Sequence, residues 1–451
     1  MRVPRGIKQL VRPYAYLLGG TLKYRDLVRY ILLPRRDSAI AEYQATLVKY
    51  LGVTMALTYS SGRSAFMEIL KALDIGPGDE VIVPGYTCIV IPAAVLAVGA
   101  KPIYADIDLQ TFNVLPESIE ARLTVRTKAI LAQHTFGIPC DLQSLTRIAE
   151  NRRVFLIEDC AHALGAKVGP TYCGGHGIAA FFSTEHTKMI STVNGGIVTT
   201  NHLDIATRLQ RAHSSLKSEP QSYADNSVIR WFIETSTHDP RWGRVAGKAL
   251  DFTRRHSAFR TVIDRSFDFD SADYEAAIGG TLRQPAKLAD ELARIGAFQV
   301  TRIEPDVITR NKLARSLEPL ALQLGWATAR IDWHNTRPSF VRYPFLVDDR
   351  PLWQQRLNQA GIEFGVWLNH PLHPAGSNFR KCGYEIGMCP NAEYAAERVL
   401  NIPLHPRCAN WIFDRVDSLV HRSSSRASSG IRKKKERFGL DLNSVRNSPK
   451  R

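Results

Sequence analysis

The chain has 451 residues, 44% of them apolar and 23% charged, so it can bury a large core without disulfide staples. That composition excludes wholesale disorder, and no run approaches the roughly 20 uninterrupted apolar residues of a membrane span. The formal net charge of +16 points to a polyanion-binding surface only until it is located. Residues 1–36 hold nine basic side chains and one acid, and residues 421–451 hold ten and two. Each terminal segment therefore carries +8, the stretch between them is neutral, and no specific nucleic-acid surface is expected on the folded body. Seven cysteines (Cys88, Cys140, Cys160, Cys173, Cys382, Cys389, Cys408) form neither a CxxC pair nor a Cys/His cluster at zinc spacing. They predict free thiols in a reducing, cytoplasmic compartment and no metal site. Pro13, Gly19, Gly20 and Lys23 interrupt the N-terminal apolar run, so no secretory signal is expected.

In chain order, the pattern predicts a helix over 38–51, a strand at Met55–Tyr59, a helix over 63–73 and, after the turn Gly76-Pro77-Gly78-Asp79, a strand from Glu80. Further strands are expected at 102–105, 129–132, 154–157, 179–182 and 196–199, with helices near 91–98, 142–149 and 203–212. Alternation of this kind is the signature of βα units around a mostly parallel sheet. Residues 217–265 differ: Trp231, Phe232, Trp242 and Phe252 lie among Arg and Lys, with Pro240 and Gly243 as breaks, and read as an insert. Helical periodicity resumes from Ala276 to Leu322, and short strands and helices fill 338–420. The Ser-rich, basic stretch after Val420 cannot repay the entropy of ordering. The expected division is a basic N-terminal extension (1–37), a large α/β domain (38–275) with the insert, linking helices and a smaller α+β domain (276–420), and a disordered tail (421–451).

Two segments place an acid and a lysine at strand exits, where α/β sheets gather their ligands: Ile157-Glu158-Asp159-Cys160-Ala161-His162 and Phe182-Ser183-Thr184-Glu185-His186-Thr187-Lys188. Each has a bland alternative, Asp159 as a turn cap and Lys188 as a solvated loop residue. Ser60-Ser61-Gly62-Arg63-Ser64 opens a helix after a strand, and its backbone N–H groups and helix dipole suit a phosphate. An anion cradle, an acid and a Ser-x4-Lys bend followed by Asn194-Gly195-Gly196 are what pyridoxal phosphate demands: an anion site, a pyridinium partner and a Schiff-base amine.

With these motifs in order, the chain resembles the DegT/DnrJ/EryC1/StrS sugar aminotransferases from about Ser38 to Val420. The resemblance is carried by SSGRSAF at 60–66, GPGDEVIVPGYT at 76–87, KPIYADID at 101–108, HTFGIPCDL at 134–142, IEDCAHALGA at 157–166 and FFSTEHTK at 181–188, then by GGIVTTN at 195–201, GIEFGVW at 361–367, PLHP at 371–374 and NIPLHP at 401–406. It implies the type I fold of pyridoxal-phosphate (PLP) transferases, a large domain with a mostly parallel sheet plus a smaller C-terminal α+β domain. It implies a homodimer with its site at the subunit interface, transferring an amino group, from glutamate, to a keto group of a nucleotide-linked deoxysugar. Lys188 would carry the cofactor and move the proton, and Asp159 would hold the pyridine nitrogen protonated. His162 would lie against the ring, and Ser183 with the N–H groups of Gly62, Arg63 and Ser64 would hold the phosphate. Relatives that remove a sugar hydroxyl instead have His in place of this lysine.

Several positions depart from the family pattern. Arg63 stands where Thr or Ser is usual, as either a phosphate ligand or a solvent-facing side chain. Cys88 stands where an aromatic residue usually stacks on the ring, which makes Tyr86 the substitute candidate, with core packing as its alternative. Asp268 and Asp270 replace the usual Asn and Arg that reach the partner's phosphate, and Asp268 is expected to engage Arg63 across the dimer unless the alignment slips beside the insert. His134, His370 and His373 are expected to be structural, and His186 either tunes access to the site or faces solvent. The basic N-terminus is a candidate for weak contact with an anionic membrane, at the inner membrane face. A rival reading is a non-catalytic, regulatory relative whose basic ends bind membrane or nucleic acid.

Overall fold

The computed structural model describes residues 23–32, 38–256, 284–404, 406–407 and 409–421. The basic segments 1–22 and 422–451, the end of the insert, and Asp268 and Asp270 lie outside the described residues.

Seven strands make the central sheet: β1 (Met55–Tyr59), β2 (Glu80–Pro84), β3 (Lys101–Ala105), β4 (Thr127–Gln133), β5 (Phe155–Asp159), β6 (Ala179–Ser183) and β7 (Gly196–Thr200). Their order is β1-β7-β6-β5-β4-β2-β3, and only β7 runs against the rest. β1, β2 and β7 are buried along their whole length, which is why they read as largely apolar runs rather than alternating patterns. Consecutive side chains of β6 serve opposite faces. Phe181 stacks on Phe66 in one core, with ring centroids 4.8 Å apart, while Phe182 belongs to a second core with Tyr43, Leu47, Ile197, Leu292 and Ile295.

Because β4, β5 and β6 are parallel and in register, Gln133 lies beside Asp159 and Asp159 beside Phe181. The C-terminal ends of these strands thus form one edge, with the loop after β1 alongside. The close fit of that loop depends on Gly196, where an added Cβ would run into the backbone carbonyl of Ser61. Gly196→Ala is therefore expected to destabilise the fold by about 1–3 kcal/mol, read as a lowered urea midpoint. An unchanged midpoint would mean that the loop can retreat freely.

The insert forms two helices, Gln221–Thr237 and Gly243–His256. Trp231 is fully buried and meets Tyr30 of the N-terminal helix Tyr24–Leu32 edge-on at 6.0 Å, whereas Phe232, Trp242 and Phe252 are exposed. That N-terminal helix is pinned by Asp26, which is buried against Arg302 at 2.8 Å. The long helix Ile303–Gln323 leads to a small antiparallel sheet of Ala327–Thr328, Arg342–Leu346 and Val399–Pro403. At 371–373 the chain returns to the segment after β2, pairing Leu372–His373 in parallel with Thr87–Cys88, and Pro371 and His373 accept hydrogen bonds from the N–H groups of Thr87 and Ile89, both at 2.8 Å. The six described cysteines are free thiols, and no described helix is long and apolar enough to cross a membrane.

Candidate active site

A cavity of about 270 Å³ opens at the C-terminal edge of the sheet. Its wall includes Gly62, Arg63, Asp159, His162, Ser183 and Lys188, so residues 126 positions apart in sequence converge there.

The cradle is built by the turn from β1 into helix Gly62–Ala72. Ser61 caps this helix: its backbone is extended, and its Oγ accepts the N–H of Ser64 at 3.1 Å. That bond corrects one expectation, because the Ser64 N–H is engaged in the cap and Ser64 does not line the cavity. Ser61, Gly62 and Arg63 do line it, across from Ser183 at the end of β6. A Cβ at Gly62 would sit 3.2 Å from Ser183 Cβ, so glycine keeps the two sides of the cradle close without overlap. Arg63 is 5% exposed and in the cavity wall, which corrects the solvent-facing alternative.

Asp159 ends β5 inside the cavity, and its side chain makes one hydrogen bond among the described residues, accepting the Ala161 N–H at 2.9 Å. Burial pushes its carboxyl up to about 6 against the pull of that N–H and of Lys188. A carboxylate in that position is stabilised by a cation entering the cavity. Lys188 is 7% exposed, and burial lowers its ammonium, with Glu185 and Asp159 opposing and Arg342 assisting. The result is an amine more easily deprotonated than a surface lysine, as a nucleophile requires. His162 is kept neutral by burial and by the nearby Lys188 and Arg342 charges. Its ring lies parallel to Phe136 at 6.4 Å and tilted to Trp367 at 5.8 Å.

Tyr86 does not take the stacking position. It is fully buried in the apolar core with Phe112 and Phe136, each 6.3 Å away between centroids, and is absent from the cavity wall, so core packing is its role. Phe181 and Trp367 are in the wall, Trp367 delivered from the smaller sheet by a 2.8 Å bond from its backbone N–H to Asn401 Oδ1. Lys188 Nζ sits 4.8 Å from its ring centroid and the Arg342 guanidinium 4.9 Å. Thr87 and Gln133 also line the cavity, linked to each other through Thr87 Oγ1 at 2.5 Å. Trp367 falls inside the GIEFGVW motif and Thr87 closes GPGDEVIVPGYT, whereas Gln133 sits at a strand end outside the motifs.

The remaining histidines divide. His186 lines the cavity, with its side chain only 14% exposed, so the solvent-facing alternative does not hold. His370 accepts the Leu372 N–H through Nδ1 at 3.2 Å. His373 pairs with Asn369 Oδ1 at 2.9 Å, and burial with the Arg342 and Lys188 charges lowers it to about 3.

His134, Glu158 and Cys160 lie close enough together to suggest a metal site, but the polar atoms of His134 and Glu158 are engaged. Cys140 N–H donates to His134 Nδ1 at 3.1 Å, which puts the ring proton on Nε2, facing Glu158 at 3.2 Å. Glu158 also accepts the N–H groups of Gly174, His176 and Gly177, all at 2.8 Å. Burial would raise its carboxyl, but these bonds hold it below the usual range. Glu158 therefore adds stability at neutral pH that is lost as pH falls through its depressed folded value. Glu158→Ala should cost about 3–5 kcal/mol by chemical denaturation, and a loss below 1 kcal/mol would show that the N–H groups find other partners.

The donor set fits pyridoxal phosphate on three counts. A buried carboxylate awaits a cation, a glycine keeps a cradle narrow at a helix N-terminus, and a buried amine lies in the same cavity.

Comparison with known proteins agrees. The family model of the DegT/DnrJ/EryC1/StrS aminotransferases matches residues 35–228 and 269–421. A spore coat polysaccharide biosynthesis protein of Bacillus subtilis is 32% identical over 389 residues, covering 84% of this chain and 87% of its own. A UDP-N-acetyl-3-dehydro-alpha-D-glucosamine 3-aminotransferase of Acidithiobacillus ferrooxidans is 28% identical over 84% of this chain and 87% of its own. Among solved structures, an aminotransferase of Psychrobacter cryohalolentis superposes with a TM-score of 0.67 at 21% identity, covering 88% of this chain and 96% of the other. The shared fold is that of type I PLP-dependent transferases, and the cofactor is pyridoxal phosphate. The chain belongs to the DegT/DnrJ/EryC1/StrS aminotransferase family.

Proposed function

We propose that the chain transfers an amino group, from glutamate, to a keto group of a nucleotide-linked deoxysugar, as a homodimer with the active site at its interface. The convergence of Lys188, Asp159 and Ser183 on one cavity carries this reading, because a regulatory relative would have no need of all three together. The names of relatives support the substrate class: the 3-aminotransferase above and a GDP-perosamine synthase of Caulobacter vibrioides, 39% identical over 38% of this chain and 46% of its own.

Pyridoxal phosphate supplies the electron sink that lets a proton leave the amino-bearing carbon. Lys188 Nζ takes that proton from the donor and returns one to the acceptor carbon. Asp159 keeps a proton on the ring nitrogen by offering it a buried negative partner. Arg63, Gly62 and Ser183 would hold the phosphate, with His162 and Trp367 in the wall beside them. In domain terms, the large sheet with its insert bears the cofactor, and the smaller C-terminal sheet delivers Trp367. Incubating the holoenzyme with glutamate and a panel of nucleotide-linked keto-deoxysugars should give, by mass spectrometry, a product in which an amino group and a hydrogen replace the keto oxygen, together with the 2-keto acid of glutamate. Transfer only to keto acids or to unlinked cyclitols would overturn the substrate class.

The N-terminal helix adds a weak contact with an anionic membrane surface. Ile31 and Leu32 are 69% and 75% exposed beside Arg25 and Arg29. Salt-sensitive co-sedimentation with phosphatidylglycerol vesicles is expected, and equal recovery from neutral vesicles would contradict it.

A further inference from the structure

The family match skips residues 229–268, yet the first helix of the insert, Gln221–Thr237, packs through Arg230 against His186, a residue of the cavity wall. Arg230 and Glu234 lie one turn apart on its inner face, 4% and 7% exposed, joined at 2.7 Å between Arg230 Nε and Glu234 Oε1. The Arg230 guanidinium also lies 3.0 Å from His186 Nδ1, and His186 pairs with Glu185. Glu185 and His186 line the cavity, and the bend that holds them is closed by Lys188 N–H onto the Glu185 carbonyl at 2.9 Å. Thr187 N–H adds a 3.2 Å bond to the Glu185 carboxylate. Four charge-bearing side chains thus run in series from the insert to the lysine bend.

We propose that this helix is part of the active site: Arg230 and Glu234 are positioning residues that hold His186 against Glu185 and so fix a carboxylate beside Lys188. The inference rests on the aminotransferase reading and gives the insert a role in it. Charges buried this deeply are tolerated only when each has a partner: Glu234 offsets Arg230 and Glu185 offsets His186, and Glu234 also favours the charged imidazole that the adjacent Arg230 opposes. Burial alone would raise Glu185, but His186 and Lys188 hold it well below the usual carboxylate range. Burial alone would lower His186, but Glu185 and Glu234 raise it, with Arg230 opposing. Among the described residues, the charged and titratable groups facing Lys188 are Glu185, Arg342, Cys88, Asp159, His162 and His373, and Glu185 has the largest influence on it, favouring the ammonium form.

In holoenzyme loaded with pyridoxal phosphate, the pH midpoint of the visible band of the lysine-bound cofactor reports the field at Lys188 Nζ. Glu185→Gln removes a negative charge and should lower this midpoint by about one pH unit. Arg230→Met should move it by about half a unit or more while Glu185 is present, and leave it unmoved in the Glu185→Gln background. Glu234→Gln, nearly unchanged in volume, should show the same dependence on Glu185 and serves if Arg230→Met does not fold. Equal shifts in both backgrounds, or no shift in either, would overturn the coupling. A chain that forms no lysine-bound band at all would overturn the cofactor assignment, and this inference with it.

Discussion

Lys188→Ala should leave the chain folded and lower amino transfer by roughly 10⁴-fold, because nucleophile and proton carrier are lost in one atom. The side chain is 7% exposed and its ammonium is lowered by burial, so removing it relieves a desolvation cost. The melting temperature should therefore hold or rise while transfer disappears. Borohydride reduction in the presence of pyridoxal phosphate should attach the cofactor to Lys188 in the parent chain and to no lysine in the variant, as read by peptide mass. Attachment at another lysine would move the chemistry elsewhere in the cavity.

Asp159→Asn should be nearly as damaging, with a fall in transfer of roughly 10²–10³-fold. Asparagine keeps the shape and can still accept the Ala161 N–H, so what is lost is the negative charge that holds a proton on the ring nitrogen. The same charge sets a pH dependence. In the free protein, burial raises this carboxyl to about 6, and pairing with the cationic ring lowers it again. Cofactor affinity should then be constant above about pH 6 and fall by up to about tenfold per pH unit below it. Equilibrium dialysis of pyridoxal phosphate across pH 4–8 would show the bend, and Asp159→Asn would flatten it. A bend that survives in the variant would assign the titration to another group.

Much of the fold was legible in the sequence because the parallel strands are buried on both faces. β1 coincides with its expected limits, and β4 extends the expected 129–132 to Thr127–Gln133, since its polar ends join the ladder without adding to the apolar pattern. Lys188, Asp159, His162, Ser183, Gly62 and Arg63 were placed by motif order, and all six meet at the cavity. Tyr86 takes its core-packing alternative and Ser64 departs from its expected phosphate role, for different reasons. Tyr86 differs from a stacking residue only in the direction of its side chain, and two phenylalanines distant in sequence, Phe112 and Phe136, enclose it. Ser64 sits in the right turn, but its N–H completes the cap of its own helix. Trp367 and the Arg230–Glu234 pair could not be assigned in advance, because the smaller sheet and the insert bring them to the site only through tertiary packing.

The central claim is a working transaminase site built on Lys188 and Asp159. Its most direct test is the visible absorption spectrum of the purified chain with pyridoxal phosphate, before and after L-glutamate, beside Lys188→Ala. The account predicts a lysine-bound band that gives way to the pyridoxamine form on adding glutamate and is missing in the variant. A band that glutamate leaves unchanged, or one that persists without Lys188, would contradict it.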